Sequence, residues 1–183
     1  REERWAHYTT AAGLLHPKVV PIIAKRRGWT EEDVWIVGRF QGYADNGMVY
    51  TPPPEVLNSF DGAVSSWLST FADKTGPGHL RTLLRLIPAA QWPEEAWEEG
   101  FRPNDLIVDR IPVLPLSARP FRISDCGHPQ VGEETLAYRE WGVTNDTLRS
   151  FFQYDSLTLF KLRYYAEAQR QFERLWERLS SGV

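Results

Sequence analysis

Three arginines stand close together in a proline-rich stretch of the sequence, and their chemistry is that of anion binding. They are Arg110, Arg119 and Arg122. A guanidinium group donates paired hydrogen bonds to a phosphate or a carboxylate. On a stiff loop, such groups can hold a phosphate or the carboxylate of a partner in a fixed place. The alternative is a proline-rich crossover that packs on the core.

Prolines determine the conformation that we expect around these arginines. Pro112, Pro115 and Pro120 follow one another closely, and each removes a backbone donor and fixes φ. A segment with this density of proline cannot form a helix or a central strand. We therefore predict a stiff, extended loop at about residues 110–130. A short run rich in β-branched residues, Leu106–Val108, predicts a strand just before it.

The carboxylates and histidines do not form a recognisable catalytic or metal-binding set. Asp105 and Asp109 flank the predicted strand, and the glutamates within residues 94–99 are interpreted as part of a short acidic helix. His7 and His16 have no second ligand at metal spacing, so we expect structural roles. The sequence has no P-loop, Rossmann glycine motif or Ser/His/Asp set. We expect no cofactor in this segment and no catalysis by the chain alone.

The composition is that of a folded domain without a strong overall charge. The sequence has 183 residues, 42% hydrophobic residues and a formal net charge of −3, which argues against binding nucleic acid through bulk charge but leaves room for a local basic face. Its single cysteine, Cys126, indicates a reducing, cytoplasmic compartment. No apolar run approaches a membrane span. Since the sequence begins at Arg1 rather than methionine, we expect a piece of a longer protein or a processed one.

Local signals predict the elements of the first half of the chain. Thr30 is the predicted cap of a helix, with Asp33 at the capping-box position. Val34–Val37 is predicted to be a strand, and residues 45–47 are predicted to be the turn of a hairpin. Residues 18–24 fit either a strand or a short helix. Apolar spacing and stop signals predict further helices at residues 58–73, 79–87 and 92–100.

A long helical segment is predicted near the C-terminus. Residues 145–180 contain neither glycine nor proline, and Thr144 or Asn145 is the predicted cap. Two apolar stripes in this segment do not share one phase. It is therefore either one helix of about 50 Å, at 1.5 Å per residue, or two helices folded as a hairpin. The hairpin would turn near Tyr154–Ser156 or near Tyr164–Ala166.

The chain resembles the largest, β′-type subunit of the multisubunit DNA-dependent RNA polymerases. That family has a segment of the form R-P-E-W-M…V-L-P-V-L-P-P-D-L-R-P, which is matched here by residues 102–103, 111–115 and 118–120. The other matches are Arg1, Glu3, Arg4 and His7 to its R-R-E-R-M-G-H segment, Phe71, Gly76, Leu80, Leu83 and Leu84 to its helical clamp, and residues 144–149 to the start of its first clamp helix. Together these matches cover most of the chain in the family's order.

The resemblance implies an α+β fold: a mostly helical clamp module with a few short strands, a proline-rich lid loop and a C-terminal long helix or helical hairpin. The clamp core would span residues 1–143 and the clamp helices residues 144–183. The lid would lie at the upstream edge of the RNA–DNA hybrid. The implied phosphate contacts are Arg110, Arg119 and Arg122. The implied docking residues for an initiation factor are Arg149, Gln153, Tyr154 and Glu167. Other segments or subunits of the polymerase and the DNA template would be further partners.

The chain also departs from that family. The N-A-D-F-D-G-D signature, whose aspartates hold Mg²⁺, is absent. Residues 151–156 replace the basic, asparagine-rich face that contacts the sigma factor. We expect Mg²⁺ and Zn²⁺ only in other parts of a parent enzyme, and a divergent polymerase of phage or mobile-element type. The alternatives are a free-standing clamp-like protein that binds a transcription factor and modulates transcription, and an unrelated enzyme or adaptor that matches by chance.

Overall fold

The fold combines α-helices with short, two-stranded antiparallel sheets. A computed structural model describes residues 6–53, 55, 70–119, 121–154 and 158–181. Its α-helices are α1 (Val19–Arg27), α2 (Glu31–Gly38), α3 (Gly76–Arg85), α4 (Glu94–Glu99), α5 (Glu133–Phe151) and α6 (Thr158–Ser181). Its strands are β1 (His7–Leu15), β2 (Tyr43–Asp45), β3 (Met48–Tyr50), β4 (Ile107–Pro112), β5 (Arg122–Ile123) and β6 (Pro129–Gln130). The predicted α+β class, with few short strands and a long C-terminal helix, is confirmed.

A ribbon of two strands joins distant parts of the chain. Strand β1 pairs antiparallel with β4, with His7 opposite Pro112 and Leu15 opposite Ile107, and the register is irregular between these two ends. The strand predicted at residues 106–108 is therefore confirmed, and it continues to Pro112. A proline is tolerated there because it stands at the end of a strand. The first of the three prolines thus closes the ribbon instead of lying in the loop.

Helices α1, α2 and α3 enclose the first hydrophobic core together with the end of the ribbon. Its buried side chains include Leu15, Val19, Val20, Ile23, Val34, Val37, Leu80, Leu84 and Ile107. The predicted capping box is present, since the Thr30 hydroxyl accepts the N–H of Asp33 and the Asp33 carboxylate accepts the N–H of Thr30. The strand predicted at Val34–Val37 is wrong. The capping box starts a helix there, and its two valines lie on one buried face because they are three residues apart.

The C-terminal segment is a hairpin of two antiparallel helices, α5 and α6, that turns near Tyr154, the first of the two predicted places. The predicted start of the first helix is wrong. It begins at Glu133, whereas Thr144 and Asn145 lie buried inside α5. Neither side chain caps a helix end, since Thr144 donates to the carbonyl of Glu140 one turn earlier in α5 and Asn145 donates to the carbonyl of Thr9 in β1. The predicted boundary between residues 143 and 144 therefore falls within α5.

Apolar side chains between the two helices and the ribbon form the second core. Its buried members are Leu14, Ile111, Tyr138, Trp141, Leu148, Tyr165, Ala168, Phe172 and Leu175. At the open end of the hairpin, Arg178 donates to the Glu133 carboxylate at 2.5 Å and holds the pKa of that carboxyl below its usual range. At the closed end, the rings of Phe151 and Tyr164 lie 5.1 Å apart. These contacts set the antiparallel alignment of the two helices.

Helix α6 reaches the edge of β1 that does not face β4. Gln169, which is fully buried, accepts the N–H of Leu15 at 2.9 Å through Oε1 and donates to the carbonyl of Leu15 at 2.9 Å through Nε2. The Tyr165 hydroxyl donates to the carbonyl of Gly13 at 2.9 Å. Buried backbone groups must find such partners, because an unsatisfied one is expensive. These side chains therefore replace a third strand along this part of the ribbon.

Helix α5 does the same for the other half of β1. Asn145 accepts the N–H of Ala11 at 2.7 Å through Oδ1 and donates to the carbonyl of Thr9 at 3.1 Å through Nδ2. Arg149 donates to the same carbonyl at 2.7 Å. Alternate residues of a strand present their backbone groups to the same edge. The hairpin thus bonds every second residue of β1, at positions 9, 11, 13 and 15.

We expect Gln169→Leu to lower the free energy of unfolding by about 2–4 kcal/mol, because a buried N–H and a buried carbonyl of Leu15 each lose their partner. Urea denaturation followed by circular dichroism measures this change. Gln153→Leu is the control, since Gln153 is exposed in the turn of the hairpin. If the two variants were equally stable, the amide contact to β1 would contribute nothing to the fold.

We expect the protein to lose stability below about pH 6.5 in part through His16. This buried imidazole accepts the N–H of Lys18 at 3.1 Å through Nδ1 and lies 4.2 Å from the Trp176 ring. Burial, and next the charge of Lys18, lower its pKa below the ordinary 6.5. As the pH falls, the unfolded chain therefore binds a proton at His16 before the folded chain does. The contacts of the neutral imidazole stabilise the fold fully only above a pH of about 6.5.

The variant that tests this is His16→Asn, which keeps an acceptor near the Lys18 N–H but does not titrate. Its urea midpoint should fall less than that of the parent protein between about pH 7 and about pH 5. His79, whose pKa is also lowered by burial, remains in both proteins and accounts for a shared part of the loss. Equal losses in the two proteins would exclude His16 as a source of the pH dependence.

Candidate nucleic-acid interface

The predicted arginine-bearing stretch forms the connection between β4 and α5, residues 113–132, which we call the proline loop. It contains a 3-10 turn at Leu116–Ala118 and the strands β5 and β6, which pair as a small antiparallel hairpin. Pro115 is extended immediately before the 3-10 turn. Pro120 lies outside the described residues. The described residues of the loop form neither an α-helix nor a central strand, as the prolines predict, but the loop folds back on itself and is not simply extended.

Tyr138 on α5 anchors the start of the proline loop. Its hydroxyl donates to the carbonyl of Pro112 at 2.9 Å and accepts the N–H of Leu114 at 3.4 Å. Burial raises the pKa of this phenol, so it remains a neutral hydrogen-bond donor at ordinary pH. Between the two bonded residues, the N–H of Val113 donates to the carbonyl of Ala6 at 2.8 Å. The base of the loop is thus fixed both to the helical hairpin and to the segment leading into β1.

The three arginines occupy different environments. Arg110 lies in β4 with an exposed side chain, for which the described part of the chain provides no hydrogen bond or ion pair. Arg119 is half-buried, its Nε has no partner among the described residues, and its charge counteracts the raised pKa of Tyr138. Arg122 is exposed at the start of β5, and its charge helps to lower the pKa of Glu133. Arg119 and Arg122 therefore both lie near the first turns of α5, whereas Arg110 lies on the ribbon.

Exposed apolar side chains, which were not predicted from the sequence, accompany the arginines of the loop. Leu116, Phe121 and Ile123 are 79%, 67% and 68% exposed. Phe121 and Ile123 flank Arg122 in sequence. Aromatic rings and arginines at an exposed site are the groups on which the bases and phosphates of nucleic acids bind. The sequence signal that could have indicated them is the alternation of apolar residues with Arg122 in a segment too short to enter a core.

The residues predicted to dock an initiation factor differ in their surroundings, and their docking role stays a prediction. Gln153 and Tyr154 lie together in the turn of the hairpin, where Tyr154 is 56% exposed. Arg149 is bonded to the carbonyl of Thr9 and so contributes to the fold. Glu167 accepts hydrogen bonds from two neighbours on its own helix. For Gln153 and Tyr154, at the tip of the hairpin, the described part of the chain provides no side-chain hydrogen bond.

The carboxylates near the loop have structural partners. Asp105 accepts the N–H of Arg102 at 2.9 Å, and Asp109 pairs with Arg81 at 2.7 Å. Across the ranges that the structure describes, no three His, Cys, Asp or Glu side chains are arranged so that they could hold a metal ion. None of the helices in those ranges combines the length and apolar character that crossing a membrane requires.

A scan against protein-family models gives no match for this sequence, and a comparison with curated proteins finds no significant similarity to any of them. The resemblance to polymerases therefore rests on the motifs quoted above, and the roles it implies for Arg119, Arg122 and the hairpin remain predictions. What the geometry adds is an anchored loop with exposed arginine and aromatic side chains, followed directly by a helical hairpin.

We expect Tyr138→Phe to loosen the base of the proline loop, because the carbonyl of Pro112 and the N–H of Leu114 lose their partner. The free energy of unfolding should fall by about 1 kcal/mol. Amide hydrogen exchange measured by NMR should become about fivefold faster at Leu114. Tyr154→Phe, which changes an exposed tyrosine in the same way, is the control. Unchanged exchange at Leu114 would show that the hydroxyl does not anchor the loop.

Proposed function

We propose that this chain is the clamp and lid segment of a DNA-directed RNA polymerase β′-like subunit, which holds nucleic acid at the upstream edge of an RNA–DNA hybrid. The observation that carries the proposal is the anchored proline loop. Tyr138 fixes its base, and its outer part carries three exposed side chains in succession, Phe121, Arg122 and Ile123. A loop held in this way can act as a wedge, because its conformation is fixed before the end of a duplex meets it and little conformational entropy is lost on binding.

The order of elements supports the proposal. A strand, β4, leads into the proline loop, and the loop leads into two antiparallel helices. The resemblance implies the same order, with the lid between the clamp core and the paired clamp helices. The hairpin that the sequence left as one of two alternatives is the form that such clamp helices would take.

Local charge would have to provide the affinity, since the whole chain carries a formal net charge of −3. Arg122 is exposed, and Arg119 has a buried Nε without a partner among the described residues. Each phosphate contact releases counterions and makes binding depend on salt. A base stacked on the exposed ring of Phe121 would add about 1–3 kcal/mol. Such a site would bind a hybrid end weakly when isolated and be strengthened by other parts of a polymerase.

The proposal assigns the remaining surfaces as well. The tip of the hairpin, with Gln153 and Tyr154, would dock an initiation factor or another segment of the polymerase. The catalytic aspartates, Mg²⁺ and any zinc module would belong to other parts of the parent enzyme, and the enzyme would work in the cytoplasm on a DNA template. The alternative is a free-standing clamp-like protein, and a failure of the chain to bind an RNA–DNA hybrid would favour it.

We expect the purified chain to bind a fluorescent RNA–DNA hybrid fork in a salt-dependent manner, measured by fluorescence anisotropy. Arg119→Ala/Arg122→Ala should weaken binding about tenfold and reduce the slope of log affinity against log salt by about 1–2. Arg122→Ala alone measures the contribution of this exposed arginine to binding separately from that of Arg119, the half-buried arginine near Tyr138. The control is Arg85→Ala, which removes the same charge from an exposed position on α3.

Two results would contradict the nucleic-acid role. One is the absence of binding at low salt. The other is binding that Arg85→Ala weakens as much as the loop variants do, since this would indicate attraction to general surface charge. Either result would favour the protein-docking alternative, in which the hairpin rather than the proline loop is the functional surface.

A further inference from the structure

A groove runs between helix α1 and the segment of residues 87–95, apart from the proline loop and the helical hairpin. Its volume is about 690 Å³, which lies within the range of binding pockets. Its floor is apolar and is formed by Ile22 of α1 and by Ile87 and Pro93 of the opposite segment. The groove belongs to the part of the fold built around the first core, so the proposed nucleic-acid role does not use it.

Positive side chains line the wall that α1 contributes. Lys18, Lys25 and Arg26 point to the groove, whereas Glu95 is the carboxylate that lines it from the other side. Arg26 stands eight positions after Lys18, which corresponds to about 12 Å along the helix axis at 1.5 Å per residue. An extended peptide of about four residues covers that length at 3.3 Å per residue. This excess of positive charge occurs in a chain whose overall charge is negative.

The two ends of the groove are tied by polar contacts, and the middle is open. Lys18 pairs with Glu99 at 3.1 Å, and Arg26 donates to the side-chain carbonyl of Gln91. Lys25, which is exposed beside Arg26, has no hydrogen bond or ion pair with any described residue. The walls are therefore held at a set separation, and an unpaired ammonium group stands beside the apolar floor.

We propose that this groove binds an acidic peptide segment of a partner protein. A large apolar side chain of the peptide would lie on Ile22 and Ile87, and neighbouring carboxylates would pair with Lys25 and Arg26. The combination of an apolar anchor and flanking charges is what fixes a short peptide in a preformed groove. The proposal goes beyond the clamp and lid role and does not depend on it.

The opposite wall distinguishes this partner from a nucleic acid. Helix α4, which begins within that wall, contributes Glu95 to the lining of the groove. The basic side chains of the groove therefore do not form the continuous path that a phosphate backbone needs. A peptide can place its carboxylates on the α1 side alone and its apolar side chain on the floor. The charge difference between the two walls would also fix the direction in which the peptide lies.

The test uses a fluorescein-labelled peptide of sequence Gly-Asp-Glu-Leu-Phe-Glu-Asp-Gly and two matched peptides. One has lysine in place of each acidic residue, and the other has serine in place of Leu and Phe. We expect the first peptide to bind the whole chain at least about tenfold more tightly than either of the others in fluorescence anisotropy. In methyl NMR of the chain, it should shift the signals of Ile22 and Ile87.

Two variants locate the site. Lys25→Glu should weaken binding of the acidic peptide about tenfold, because it puts a negative charge beside the peptide's carboxylates. Arg139→Glu, a charge reversal at an exposed position on α5, should leave binding unchanged. Neither substitution is at a buried position.

Three outcomes would overturn the proposal. They are equal effects of the two variants, no methyl shift at Ile22 and Ile87 with millimolar acidic peptide, and shifts of those methyls by an RNA–DNA hybrid but not by the peptide. The last would assign the groove to nucleic acid. The hybrid-binding experiment depends on Arg119 and Arg122, whereas the peptide test depends on Lys25. A failure of the chain to bind the hybrid would therefore leave the result of the peptide test unaffected.

Discussion

The free edge of strand β1 is the constraint on which the rest of the structure depends. A ribbon of two strands leaves one edge of each strand without a partner, and a buried, unsatisfied backbone group costs about 1–3 kcal/mol. The side chains of Asn145, Tyr165 and Gln169 bond to residues 9, 11, 13 and 15, and the penalty that they remove is largest at Leu15, which is fully buried. Because these bonds are directional, they fix the hairpin in one position along the strand, which apolar packing alone would not do.

That position determines where the proline loop begins and ends. The loop starts from β4, which is paired with β1, and it ends at α5, which is bonded to β1 through Asn145. Both ends of the loop are therefore attached to elements that bond to strand β1. Tyr138 adds a second connection at the start of the loop. A loop held at both ends loses little conformational entropy on binding, so that contacts made by Arg122 or Phe121 would appear in the affinity instead of being offset by ordering.

Local signals were sufficient for the elements that local contacts determine. The capping box of Thr30 and Asp33 and the short helix predicted within residues 92–100, which is α4, depend on residues close in sequence, and both were predicted correctly. Strand β1 was not predicted, because its alternation is weak and its partner in β4 lies about a hundred residues further along. Asn145 was misinterpreted as a helix cap for a related reason. An asparagine side chain satisfies backbone groups equally well at a helix end and across a tertiary contact, and the sequence does not distinguish the two.

The candidate site shows the same division between residue type and position. Arginine and proline content indicated the loop before any geometry was known, and the anion-binding role of its arginines stays a prediction. The sequence did not show that Arg149 bonds to β1 or that Arg119 lies near Tyr138, since both contacts join segments distant in sequence. These two contacts have a consequence for the charge that is left for binding. Part of the positive charge that the sequence offers for binding is used within the fold, so that Arg122 is the arginine of the loop whose side chain is exposed.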